Sequence, residues 1–440
     1  MLFYLGFPKE TLPEEGGPTL KLAIIGAGIS GLFAARELSG RHEIEIFEAA
    51  PQAGGHAYTV EVEEEGRRFP IDMGFIVYNQ RNYPYFSRML SELRVPTTPS
   101  TMGFAVYSKL GGFQFSGEGL YGLLGHRRNL VSPRFWRLIR GILRFHRAGR
   151  QALEDQDSAT LSQPTLAEFC DREGISELTR KNFLAPMAGA IWSMPRRDAM
   201  NFPALSLLSF FEQHGLLSVT NQPPWRTVAG GSQSYVNALV RSLDARVHLN
   251  AAVVRVQRAP DHVELFVNGE TCYFDQVIIA THSDRALSIL HQPSRSERDI
   301  LRAIGYRDSE VVLHCDRRLL PSNPRVWASW NVALDKNPNQ GIGVTYLMNK
   351  LQPLPSSTPW CVTLNSGQEI DPNLIQHRVS FAHPQLDAAA IRAQQRWQEI
   401  SGRQRTHYCG AYWRYGFHED GAWSGRRAAL NLSLRQREAA

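Results

Sequence analysis

Cysteine is scarce and scattered in this chain. Its 440 residues hold five, Cys170, Cys272, Cys315, Cys361 and Cys409, with no C-x-x-C pair and an odd total. That excludes a disulfide framework and a zinc knuckle, and predicts a reducing, cytoplasmic setting. Long apolar runs are missing as well. The longest, Leu22 to Ala35, is interrupted by three glycines and falls short of the ~18–20 residues of a membrane helix. The opening MLFYLGFPKE has no basic n-region and its apolar run stops at Pro8, so no secretory signal is read. No solenoid repeat or low-complexity tract is present. Neither sign of charge dominates: 48 Lys+Arg face 42 Asp+Glu, a net +6. With 43% hydrophobic and 20% charged residues, long disorder and fibrous architectures are excluded. At ~100–200 residues per domain, two lobes are expected.

What is present begins at residue 20. Leu20–Ile25 reads as a strand, Gly26-Ala-Gly28-Ile29-Ser30-Gly31 as a glycine loop, and Leu32–Leu38 as a helix. Ile44–Glu48 is a second strand. This βαβ unit carries G-x-G-x-x-G where chemistry needs it. The first glycine makes the tight turn, the second admits a pyrophosphate to the backbone, and the third lets helix and strand pack closely. The helix N-terminus then faces the phosphates with unpaired N–H groups. Glu48 closes the second strand, where an acid binds ribose hydroxyls and disfavours a 2′-phosphate. A second match, Gly117-Glu-Gly119-Leu-Tyr-Gly122, fails because Glu118 would face the phosphates and no acid follows until Glu154. One dinucleotide site is expected, with no separate NAD(P)H module.

Strand patterns return at Ala252–Val256, His262–Val267 and Phe274–Ala280, after a helical run Tyr235–Leu243. The end of the chain reads as a strand closing at Gly410, an aromatic loop, and a helix from about Gly421. Nucleotide-binding signals thus sit in three stretches, which one discontinuous domain explains. The expected division is an extension over 1–19, a cofactor domain over 20–105, 226–289 and 405–440, and a substrate domain over 106–225 and 290–404.

After Glu48 come Gly54-Gly55-His56 and then Asp72-Met-Gly74-Phe75-Ile-Val-Tyr78-Asn79. Here the chain resembles the glutathione-reductase-type FAD superfamily, and within it the flavin amine oxidase and phytoene desaturase branch. Phe274–Thr281 is similar to the branch's middle strand, and Gly421-Ala422-Trp-Ser424-Gly425 to its C-terminal GAxxSG. More narrowly the chain resembles a bacterial group of predicted NAD/FAD-binding oxidoreductases. These are often encoded beside cyclopropane-fatty-acid synthases, and some are assigned to modification of membrane fatty acids. Asp72–Asn79, Ala190–Ser193, His214–Leu217, Trp225–Ser232, Tyr346–Gln352 and Gly416–Gly421 carry that likeness. The resemblance implies an α/β fold: a glutathione-reductase-type, discontinuous FAD-binding Rossmann domain with an inserted mixed α+β substrate domain. It implies FAD as cofactor. Contacts are expected at Gly26, Gly28, Ile29, Ser30, Gly31, Glu48, Gly54, Gly55, His56, Gly74, Phe75, Val254, Ala280, Gly410, Asp420, Gly421 and Ala422.

Two departures stand out. The superfamily's acid after the C-terminal A-G is replaced by Ala411, and the amine oxidases' cage tyrosine falls on Phe417 or His418. In the aromatic loop Tyr412–Asp420, His418 is the first candidate for proton handling. Tyr78 and Lys350 follow, the lysine because amine oxidases keep one near the flavin. No metal ligand set is read.

Residues 126–151 hold eight arginines and no acid, interleaved with Trp136, Leu138, Ile139, Ile142, Leu143 and Phe145. Such a segment suits an anionic membrane surface, an acidic partner, or a solvated outer helix. No nucleic-acid motif accompanies it. The expected protein is an FAD-dependent oxidoreductase desaturating a fatty-acyl or phospholipid acyl substrate, cytoplasmic and peripheral to the inner membrane face. The alternatives are a flavin amine oxidase, a redox-neutral fatty-acid isomerase, and a flavin-bound accessory protein of a lipid-modifying partner enzyme.

Overall fold

The computed structural model describes residues 18–108, 114–117, 122–125, 127–155, 164–192, 196–218, 223–334 and 343–439. Residues 1–17 of the expected N-terminal extension and 118–121 of the rejected glycine motif lie outside them.

A five-stranded parallel sheet runs in the order β10 (Arg246–His248), β2 (Glu43–Phe47), β1 (Lys21–Ile25), β14 (Gln276–Ile279) and β20 (Thr406–Tyr408). Its strands come from three distant parts of the chain. β1 is apolar throughout its inner residues because both faces are covered. Leu22 and Ile24 point into one cluster with helices α1 (Ile29–Leu38), α5 (Ser232–Ser242) and α6 (His418–Ala439). Ala23 and Ile25 point the other way, onto a three-stranded antiparallel sheet of β11 (Val253–Arg258), β12 (Val263–Val267) and β13 (Glu270–Phe274). The two-residue turn Asn268-Gly269 joins β12 to β13 with both residues at positive φ, as a tight hairpin requires.

The second large sheet has seven strands: β19 (Ile375–Gln385), β15 (Gly305–His314), β18 (Cys361–Leu364), β17 (Val344–Leu347), β16 (Trp330–Ala333), β7 (Phe104–Tyr107) and β8 (Gln114–Ser116). Helix α3 (Pro133–Glu154) packs on β8 through Phe135 against Phe115, and α4 (Ala204–Gln213) packs on α3 through Phe211 against Phe145. Two smaller sheets complete the set among the described residues. One pairs β3 (Thr59–Glu64) with β4 (Arg67–Asp72); the other places β9 (Trp225–Val228) between β5 (Val77–Asn79) and β6 (Thr97–Ser100). Helix α2 spans Pro84–Glu92.

Several boundaries differ from the sequence reading. The C-terminal helix begins at His418 rather than Gly421, because Asp420 reaches back to accept the N–H of Phe417 at 2.9 Å and so caps an earlier start. The arginine-rich segment becomes a helix only from Pro133, where Ser132 caps Phe135 N–H and proline occupies the first turn.

Candidate active site

The glycine loop does what its spacing predicts. Gly26 has φ +102°, and a Cβ there would stand 3.0 Å from the Ala280 carbonyl oxygen. A Cβ on Gly31 would meet Gly26 O at 2.0 Å, so that glycine lets α1 sit on the loop. Around Gly28 a Cβ meets nothing within 4 Å: the space opens into a cavity. Gly54 bridges to Gly28, and a Cβ on Gly55 would lie 3.3 Å from the Gly28 Cα. The Glu48 carboxylate is fixed by the N–H groups of Ala27 (2.8 Å) and Ala50 (2.9 Å) at the cavity edge. Asp72 anchors the next layer. Its carboxylate accepts from Thr59, from Ser232 N–H and Oγ, and from Gln352, tying β4 to the start of α5; burial raises its pKa to about 6.

The cavity has a volume of about 1450 Å³, above the usual ~300–1,000 Å³ of a small-molecule site. At one end lie Gly26, Gly28, Ile29, Ser30, Glu48, Gly54, Gly55, His56, Gly74, Phe75, Val254, Ala280 and Gly410, all of them expected cofactor contacts. Four expected contacts do not line it. Gly31 lies beneath the loop. Asp420 holds the helix start and pairs with Arg414 at 3.7 Å. Ala422 is fully buried between helices. Gly421 and Gly425 are needed for packing: a Cβ would strike Ile29 Cγ2 at 2.5 Å and Ser30 O at 2.2 Å respectively. The GAxxSG segment therefore lets α6 cross α1 closely. Its Ser424 hydroxyl accepts the N–H of Gly410, 3.1 Å away.

His418 lines the cavity, stacked on Phe75 with ring centroids 3.8 Å apart and 9° between planes. The Tyr235 hydroxyl lies 2.5 Å from its Nε2. Burial, with a smaller contribution from His56, lowers its pKa to about 3. A neutral imidazole so weakly basic is a poor proton acceptor near neutrality; its geometry is that of an aromatic wall. Tyr78 and Lys350 are not among the lining residues. The Tyr78 ring is 3% exposed and packs on Tyr83 and Phe86; Lys350 lies in the short helix Met348–Leu351, its carbonyl accepting from Thr101 N–H.

Beyond this wall the cavity becomes apolar. Phe417 stacks on Phe210 at 4.7 Å, and Phe210 on His214 at 3.8 Å. Past them lie Ile139, Ile142, Leu143, Phe183, Met187 and Tyr346. His146, 8% exposed and on the same wall, has no hydrogen-bond partner at either ring nitrogen among the described residues; burial, then Arg150, lowers its pKa to about 4.

Sequence reasoning missed several of these groups. His282 and His383 stand 5.9 and 5.6 Å from His56, ring to ring, on the cavity wall. Burial and mutual repulsion lower His56 to about 3 and His383 to about 4. The described residues hold no metal-binding cluster. Only His282 had a local signal, following directly on the carboxyl end of the middle strand, where ligands of open α/β sheets bind. Glu419 was also missed: it accepts the N–H groups of Tyr85 and Phe86, satisfying the start of α2, and burial raises its pKa to about 8.

Residues 29–336 match the family model for flavin-containing amine oxidoreductases. The chain belongs to that family. FAD is accordingly its cofactor, and the glycine cradle, the positioned Glu48 and the buried Tyr412 hydroxyl on the cavity wall, without a partner among the described residues, fit such a group. An inferred flavin-containing monoamine oxidase of Mycobacterium tuberculosis is 30% identical over 249 residues, 54% of this chain and 52% of that one. The 15-cis-phytoene desaturase of Arabidopsis thaliana is 25% identical over 331 residues, 70% and 56% respectively. The chain thus spans about half the length of these curated relatives. Among solved structures, a CLA-producing fatty acid isomerase from P. acnes superposes with TM-score 0.65 at 15% identity, covering 94% of this chain and 98% of that one. A putrescine oxidase variant gives TM-score 0.68 at 16% identity, covering 95% and 100%. At these identities the likeness is one of fold: the mixed α/β, FAD-binding amine oxidase type.

Proposed function

We propose that the protein is an FAD-dependent oxidoreductase acting on a long apolar, fatty-acyl substrate. The observation that carries this reading is the continuity of one cavity, from the glycine cradle through the Phe75–His418 wall into a chamber faced by Ile139, Leu143, Phe183 and Met187. The cavity would hold cofactor and substrate together, and the apolar facing of its chamber selects between substrates: an acyl chain gains ~0.8 kcal/mol per buried CH₂ there.

Bound FAD would supply the acceptor for a hydride from one substrate carbon, and the proton lost from the neighbouring carbon would leave to water at the cavity mouth as the double bond forms. The chain's own residues orient and exclude. The apolar walls keep water from the reacting carbon and fix the chain relative to the wall at His418. His146, without a partner among the described residues, would donate a hydrogen bond to a substrate oxygen. Among the described lining residues the sole carboxylate is Glu48, whose oxygens already accept two N–H groups. A dication such as a polyamine would find no countercharge in the chamber, and burying an unpaired ammonium is costly.

The family and the aromatic tier of Phe210 and Phe417 favour a second reading, oxidation of an amine presented neutral or over a ring face. The similarity in fold to a fatty acid isomerase favours a third, in which the hydride returns to another carbon of the same acyl chain. Anaerobic addition of C16–C18 acyl substrates to the oxidised protein separates them. Bleaching of the flavin band with a new double bond in the product supports desaturation. A shifted double bond without net bleaching supports isomerisation. Bleaching by monoamines, and not by acyl compounds, overturns the acyl reading.

A further inference from the structure

Helix α3 faces two ways. Its inward face buries Phe135, Leu138, Ile142 and Phe145. At 100° per residue, Ile139 and Leu143 fall on one edge, with Trp136 next to Leu143 on the outer side. Arg147, Arg140, Arg144 and Arg137 follow in turn round the outer face. Among the described residues no carboxylate is paired with any of these four arginines. Without the eight arginines of this segment the chain's charge would turn from +6 to −2.

Three further observations converge here. Arg137, Arg140 and Arg144 line a shallow pocket of about 290 Å³ with Gly174 and Ser176. A Cβ at Gly174 would lie 2.8 Å from an Arg144 guanidinium nitrogen, and one at Gly141 would lie 2.0 Å from Thr179 Oγ1, so the arginines are held against a closely packed neighbour. Second, the same surface exposes large apolar side chains: Leu130 at 48%, Val131 at 83%, Trp136 at 38% and Leu143 at 48%. The Trp136 indole is pinned by a 3.0 Å hydrogen bond to the Leu130 carbonyl. Third, Leu143 both meets solvent and lines the large cavity, so the chamber reaches the surface beside this helix.

We infer that the outer face of α3 docks on an anionic phospholipid bilayer, with a lipid phosphate in the Arg137–Arg140–Arg144 pocket and Leu130, Val131, Trp136 and Leu143 set into the headgroup–acyl boundary. Arginine forks suit phosphate oxygens. Apolar residues beside cations are what an interfacial surface needs, and an acidic protein partner would leave Val131 without a purpose. The orientation places the chamber's opening against the bilayer, where acyl chains are. Among the described residues no helix is long and apolar enough to cross a membrane, so attachment is lateral.

The purpose of this surface rests on the acyl reading above, but docking can be measured without turnover. Purified holoprotein is sedimented with vesicles of phosphatidylglycerol and phosphatidylcholine, or of phosphatidylcholine alone. Pelleting with the first, absence with the second, and release as salt is raised are expected. The triple variant R137E/R140E/R144E should lose about a hundredfold or more in vesicle affinity. Val131→Asp, at an exposed site that leaves folding intact, should lose about tenfold. Retained flavin absorbance and melting temperature show that the variants are folded. No pelleting with anionic vesicles, equal pelleting with neutral ones, or undiminished affinity in both variants would overturn docking, as would tight binding of duplex nucleic acid without vesicle binding. Docking without any response of the flavin to acyl lipid would instead remove the acyl reading and leave the surface standing.

Discussion

The two ends of the cavity are built from different materials. At the cofactor end the wall is largely backbone: Gly26, Gly28, Gly54 and Gly55, with Glu48 held by two N–H groups. Its tolerances are set by atoms that cannot move aside. At the chamber end the wall is side chain, from Ile139 to Tyr346 and from Phe183 to Phe210. Such a wall can change shape by a methylene at a time. A backbone-built site recognises one cofactor, while a side-chain-built one can be retuned to a substrate without disturbing the fold.

Substitution should show the contrast at its largest in the glycine loop. Gly31→Val places its side chain within the Gly26 carbonyl and is expected to cost more than about 4 kcal/mol. The product should be a protein that purifies without flavin absorbance, if it folds at all. Normal flavin content in this variant would remove the argument for close packing there.

Acid should act on both ends together. His56 and His383 near the cradle, and His146 and His214 in the chamber, have folded pKa values of about 3 to 4 because burial disfavours the imidazolium. The unfolded chain, with pKa near 6.5, binds more protons between those values. The histidines' contribution is therefore full above about 6.5 and falls as pH drops towards 4, each group adding a slope of up to ~1.4 kcal/mol per pH unit. Glu419 and Asp72 are raised to about 8 and about 6 and act oppositely, losing stability as pH rises through those values. With histidines in the majority, the melting temperature should drop steeply below pH 6. A flat profile from pH 7 to 4.5 would contradict the burial of these rings.

Smaller effects separate wall from catalyst. His418→Phe keeps the stack on Phe75 and loses the Tyr235 hydrogen bond, so it should cost about 1–2 kcal/mol of stability and less than tenfold in kcat. A fall of a thousandfold with an altered pH profile would restore His418 as a proton carrier. His146→Leu should leave flavin content unchanged and raise stability by about 1 kcal/mol, because an unsatisfied buried donor is removed. The same variant should weaken binding of an acyl acid by about tenfold while sparing a hydrocarbon of equal length.

The same contrast explains what could be read from the sequence. The cradle was legible because its constraints are local: three glycines at fixed spacing, then an acid one strand later. The parallel sheet was legible because strand, loop and helix alternate near the start and again before residue 280. The chamber was not, since Ile139 and His146 of α3 meet Phe183, His214 and Tyr346 from distant parts of the chain only through tertiary packing. The stretches that carry the family likeness nonetheless converge on the cavity, at Phe75, Ala190, His214, Trp225, Tyr346 and Phe417. Gly421, expected at the cofactor, does not line the cavity and serves a close helix crossing. A glycine kept for contact with a cofactor and one kept for a close helix crossing look alike in sequence. Only the 2.5 Å approach to Ile29 distinguishes them.

The central claim is that a long apolar chain lies in the chamber beside the flavin. Its most direct test is a titration of the oxidised holoprotein with saturated fatty acids of increasing length, followed through the shift of the flavin absorbance band. The account predicts affinity rising about threefold to fourfold per added CH₂, as ~0.8 kcal/mol per methylene implies, until the chamber is filled. Affinity independent of chain length, with tighter binding of short diamines, would contradict it.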